Sequence, residues 1–185
     1  MNALSPFTSP SLRFWAWPAT IGAATVLGTL AFACMMPFAA LAVMASATMR
    51  PRQAFTTIAA IWATNQLFGF ALLGYPFTGY AIGWGLALGV AALLAAVVAQ
   101  SVLRRHGGMA ALPMAVAFMA AFAGYELLLF GFALFAGGTE TFAPAIVLRI
   151  FANDAMWFAG LAVLHQLLTR TAPGLFGPAP ALRLA

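Results

Sequence analysis

Only eleven of the 185 side chains are charged, and they interrupt an otherwise apolar sequence at a few short points. A soluble domain carries charge on roughly a quarter of its residues. Here the share is 6%, against 64% apolar residues and a mean hydropathy of +1.00. Lipid is the solvent that suits such a surface. Within lipid a backbone without a closed barrel satisfies its polar groups only as helices, so the chain reads as an all-α polytopic membrane protein. No charged stretch is long enough for a soluble domain, and residues 1–185 are expected to form a single transmembrane domain with irregular tails at 1–13 and 171–185.

A spanning helix uses ~20 apolar residues. The breaks divide the chain into candidate spans at 17–34, 37–48, 55–74, 79–102, 110–135 and 142–169, a bundle of six helices. Arg50-Pro51-Arg52 and the run Arg104 to Gly108 are charged breaks, whereas Gly74-Tyr75-Pro76 and Gly137-Gly138-Thr139-Glu140 are turn formers without positive charge. Residues 17–48 are one apolar run, too long for one span and too short for two. Pro37 argues for a break there, because a proline inside a helix removes a hydrogen bond and clashes with the preceding turn. With six helices, Arg13, Arg50, Arg52, Arg104, Arg105, Arg170 and Arg183 all fall on one side, and the acid Glu140 on the other. The positive-inside rule then makes both termini cytoplasmic. A five-helix reading moves only Arg13 across. Ala31-Phe32-Ala33 before Cys34 has the small residues of a signal-peptide cleavage site, but the sequence stays apolar beyond it, and the segment is read as a retained helix.

Charged and amide side chains inside hydrocarbon are costly and mark candidate sites. At about 1.5 Å per residue, Glu126, Arg149, Asn65 and Gln66 all fall between the midplane and the outer face, where they are expected to form one polar pocket. Glu126 and Arg149 would neutralise each other by a charge-assisted hydrogen bond, either as a structural lock or as a ligand site in which Arg149 holds a carboxylate or phosphate. Asn153 shares the arginine's face, and Tyr125 and Trp157 would supply aromatic walls. Asp154 is turned about 140° from Arg149 around the helix. It is expected either to take a hydrogen bond from another helix or to stay protonated, which makes it a proton-coupling candidate. Cys34, Met35 and Met36 offer soft ligands for a metal-bearing molecule, beside the simpler reading of apolar residues filling a turn. His106 and His165 are too few for a metal site.

One cysteine excludes an internal disulfide and a cysteine-built zinc site. No phosphate-binding loop, HExxH or GxSxG is present, so no enzymatic activity and no bound cofactor are expected. The arginines serve orientation before any nucleic-acid role.

Together these features resemble the S components of energy-coupling factor transporters, the membrane subunits that capture vitamins. The shared points are six helices in a short chain, inner termini, a short second helix and an outer polar pocket. Ala19-Thr20-Ile21-Gly22-Ala23 is similar to the Ala-xxx-Ala surface with which that family docks its coupling module. The resemblance implies capture of a small vitamin-like molecule at a bacterial inner membrane, with energy from a membrane scaffold and two ATPases or with the subunit acting alone. Cobalamin is one substrate it allows. Two other readings stand beside it, an accessory subunit within a larger membrane complex and a small proton-coupled transporter.

Overall fold

A computed structural model of the chain describes residues 10–32, 36–107 and 109–177, which are helical apart from their connections and contain no strand. The long helices are α1 (Pro10–Phe32), α2 (Phe38–Thr48), α3 (Pro51–Ala71), α4 (Gly79–His106), α5 (Ala111–Ala136) and α6 (Pro144–Thr171). A 3-10 turn at Thr139–Phe142 precedes α6, and a one-turn helix α7 (Pro173–Phe176) follows it. Three of these helices, α4, α5 and α6, are long and apolar enough to cross a membrane.

Each boundary has a local chemical cause. Pro51 and Pro144 stand at the first position of their helices, where the missing N–H costs nothing and the fixed φ fits. Thr78 caps α4, its Oγ1 accepting from the Ala81 N–H at 3.2 Å. At the other end of α4 the chain turns through Gly107 at φ +92°, a conformation open to glycine, and Arg104 and Arg105 in the last turn complement the helix dipole. Two differences from expectation lie in the tails. Helix α1 begins at Pro10, inside the stretch expected to be irregular, and α7 forms within the C-terminal tail with Pro173 at its first position.

The bundle is organised around α2. Every residue from Phe38 to Ala45 is at most 1% exposed, because α3, α4, α5 and α6 all pack against this one helix. Lipid is as apolar as these side chains, so close contact here comes from dispersion and small residues more than from the hydrophobic effect. The residues meet that requirement. Ala39, Ala40, Ala42 and Ala45 of α2 are buried, as are Ala91, Ala92, Ala95, Ala96 and Ala99 of α4. Helix α6 is the most peripheral of the three long apolar helices. It is held to α5 by aromatic rings, with Phe118 stacked on Phe158 at 5.0 Å and Phe122 edge-on to Phe151 at 5.1 Å.

Candidate functional site

Helix α2 is about 16 Å long at ~1.5 Å per residue, roughly half the ~30 Å hydrocarbon thickness of a bilayer. Its N-terminus therefore opens inside the bundle, where the first amide N–H groups of a helix have no intrahelical acceptor and no water to turn to. Pro37 at the cap position contributes no side-chain acceptor. Phe38 N–H donates to the Met36 carbonyl at 2.9 Å, and Leu41 N–H to Pro37 at 3.0 Å. Ala40 N–H donates to Asp154 Oδ1 at 2.9 Å. Asp154, 2% exposed on α6, is the missing cap of α2, supplied from a residue 114 positions along the chain. A negative side chain at the positive end of a helix is also favoured by the dipole. The hydrogen bond expected for Asp154 from another helix is present.

A cavity lies elsewhere. A space of about 770 Å³ opens between the C-terminal half of α3 and the N-terminal half of α4, under the α5–α6 connection. Helix α3 contributes Asn65, Gln66, Phe68, Gly69, Leu72 and Leu73; the α3–α4 connection contributes Tyr75 and Pro76. Tyr80, Ala81, Trp84, Gly85 and Leu88 come from α4, and Gly138, Glu140 and Thr141 close the top. Following the chain from Arg50 and Arg52 up α3, and back down α4 to Arg104 and Arg105, places the cavity at the end of the bundle away from these arginines.

Glycines set the shape of this space. A methyl added at Gly85 would lie 2.5 Å from Gln66 Oε1, and one at Gly89 would lie 2.6 Å from the Trp62 ring. The pair Gly85 and Gly89, one helical turn apart, thus receives the pair Trp62 and Gln66, also one turn apart. Trp62 Nε1 then donates to the Gly85 carbonyl at 2.8 Å. Above this contact Gly69 accepts the Tyr75 ring, whose Cδ2 would lie 2.8 Å from an added Cβ. Gly138, at φ +97°, brings the α5–α6 connection onto Tyr80 and Trp84. The Trp84 Nε1 donor is buried without an acceptor among the described residues.

Of the expected pocket residues, Asn65 and Gln66 line this cavity, and Tyr125, Glu126, Arg149, Asn153 and Trp157 do not. Tyr125 is 7% exposed and packs beside Phe38, their rings 6.2 Å apart. Glu126 is half-buried on the flank of α5, whereas Arg149 is exposed on α6. No Arg–carboxylate contact within 4 Å is present among the described residues, so these two do not pair. Asn153 and Trp157 are half-buried on either side of Asp154. Ala19 and Ala23 both lie on the exposed face of α1. Cys34 and Met35 lie outside the described residues, and Met36 serves through its backbone carbonyl.

A smaller cavity of about 250 Å³ sits at the arginine-rich end, walled by Arg13, Trp17, Thr48, Gln53 and His165 among others. Trp17 Nε1 donates to Thr48 Oγ1 at 2.7 Å and meets the His165 ring edge-on at 4.7 Å. These contacts tie α1 to the ends of α2 and α6. His106 is exposed at the end of α4. Neither histidine belongs to a group of three metal-ligating side chains among the described residues. The helices and cavities described above are built by a chain that no protein family, curated protein or solved structure matches.

Proposed function

We propose that this chain is a six-span membrane subunit that captures a small vitamin-like molecule, with both termini in the cytoplasm of a bacterial cell. The single observation that carries the reading is the cavity of about 770 Å³ at the arginine-poor end of the bundle. Its volume lies in the range of small-molecule sites, and its wall combines apolar and aromatic surface with a few amide and hydroxyl groups, the usual composition of such sites. The positive-inside rule turns this end outward. Asn65 and Gln66 would orient the ligand from α3, with Tyr75, Tyr80 and Trp84 around it. The exposed row of Ala19 and Ala23 on α1 would then be free to meet an energising module of membrane scaffold and ATPases.

A second reading, an accessory subunit in a larger membrane complex, is favoured by Arg149. This charged side chain is exposed on the peripheral helix α6, about 8 Å from its N-terminal end at ~1.5 Å per residue. It would reach either the outer headgroups by extending its stem or an acid on a neighbouring subunit. Native mass spectrometry of the gently purified chain separates the two. A stoichiometric small molecule supports capture and identifies the ligand; an empty chain held by other membrane subunits overturns it in favour of the accessory role.

A further inference from the structure

Resting on the capture reading, we infer that the outward cavity selects an organic cation with a flat apolar body over neutral or anionic molecules. The charge balance of the wall carries this. Among the described residues, Glu140 is the one charged residue that lines the space, and no arginine or histidine does so. A carboxylate or phosphate would enter without a cationic partner and against the Glu140 charge, and burying an unpaired anion is strongly unfavourable. Arg149, the arginine nearest this end in sequence order along α6, faces away from the bundle and is not among the lining residues.

The uncharged part of the wall fits the same ligand. Tyr75, Tyr80 and Trp84 line the cavity together, and Tyr80 meets Trp84 edge-on with centroids 6.4 Å apart. Two ring systems at an angle, with a carboxylate at the mouth, form the walls of an aromatic cage. Such cages attract cations through the negative ring faces, most strongly when water is excluded. The amides of Asn65 and Gln66 at the lower end add hydrogen bonding without charge. Gly138 holds Glu140 in place over the cage, since a side chain at position 138 would press on the Tyr80 hydroxyl and the Trp84 ring at 3.3 Å.

The test uses the full-length chain in detergent at pH 8 and two probes with one ring system, N-methylacridinium and uncharged acridine, with 9-anthracenecarboxylate as the anion. Equilibrium dialysis against protein-free micelles gives the specific binding of each. The cation is expected to bind about two- to fivefold more tightly than acridine, the scale of a cation–π contact at exposed rings, and the carboxylate not at all above the micelles. Glu140→Gln should weaken the cation severalfold and leave acridine unchanged, and Trp84→Leu should weaken the cation more than acridine. Equal affinity for cation and acridine, preference for the carboxylate, or no saturable binding of the cation overturns the inference. A stoichiometric anion found in the native mass spectrum overturns it too, while upholding capture; an empty chain in a larger complex instead removes the capture reading beneath it.

Discussion

Replacing Asp154 with leucine keeps the branching at Cγ and removes the acceptor for the Ala40 N–H group. This donor lies where neither water nor another side chain can take over, since Phe38 to Ala45 are buried throughout. A hydrogen bond to a charged group contributes about 1.5–3 kcal/mol, and each abandoned buried donor costs about 1–3 kcal/mol. The cost expected for Asp154→Leu is therefore about 1.5–3 kcal/mol, within the usual range of one substitution. Asparagine keeps an oxygen that accepts from Ala40 and loses only the charge at the helix end, about 1 kcal/mol. For a chain of this size each kcal/mol moves the melting temperature by about 2–4 °C. Thermal unfolding in detergent, followed by intrinsic tryptophan fluorescence, should thus fall by roughly 3–12 °C for leucine and by about 2–4 °C for asparagine. A leucine variant that melts with the wild type, or an asparagine variant as damaged as the leucine one, refutes the capping argument.

Further outcomes follow from the same contacts. Gly89→Ala places a methyl 2.6 Å from the rigid Trp62 ring, and Gly85→Ala places one 2.5 Å from the movable end of Gln66; overpacking costs about 1–3 kcal/mol, so Gly89→Ala should lower the melting temperature further, and equal shifts would count against the paired-glycine seam. Arg149→Gln should change stability by no more than about 0.5 kcal/mol, and a double-mutant cycle with Glu126→Gln should show no coupling; a coupling above about 1 kcal/mol would mean that the two side chains meet. Trp17→Phe loses the 2.7 Å bond to Thr48 and should cost about 1 kcal/mol, read in the same melting assay. In a Cys34→Ser background, a cysteine at Glu140 should react with an impermeant maleimide added to intact cells and one at His106 only after lysis; the reverse pattern would sink the proposed orientation.

Helix positions were open to reading because the breaks are made by residues with strong local effects. Pro37, Arg50-Pro51-Arg52, Gly74-Tyr75-Pro76 and Gly137-Gly138 all lie at or beside observed helix ends. Depth was readable as well, and it placed Asn65 and Gln66 at the level of the cavity. Rotation about the helix axis was not readable from depth. Glu126 and Arg149 lie at similar heights, yet Tyr125 turns inward on α5 and leaves Glu126 on the flank. On α6 the buried position is Asp154, and the ~140° offset between the two residues then carries Arg149 outward. A signal for this was present in the sequence. A helix that starts at Phe38, inside an apolar run and without its own cap, needs an acceptor from another segment, and Asp154 had no other assigned partner. The seam of Gly85 and Gly89 was likewise visible as a small-residue pair, but so many alanines and glycines share that spacing that the sequence does not single it out.

The cap of α2 also sets an order of events during synthesis. A helix of 11 residues is too short to cross the bilayer alone, and its Ala40 amide stays without this acceptor until Asp154 arrives. That residue lies on α6, which leaves the ribosome after α3, α4 and α5. In the proposed six-span arrangement, helices α3, α4 and α5 enter the membrane while the segment that will become the centre of the bundle is still unfinished. Assembly closes from the C-terminal side, and a nascent chain halted before α6 would expose an incomplete α2 to lipid and to the cell's membrane-protein quality control.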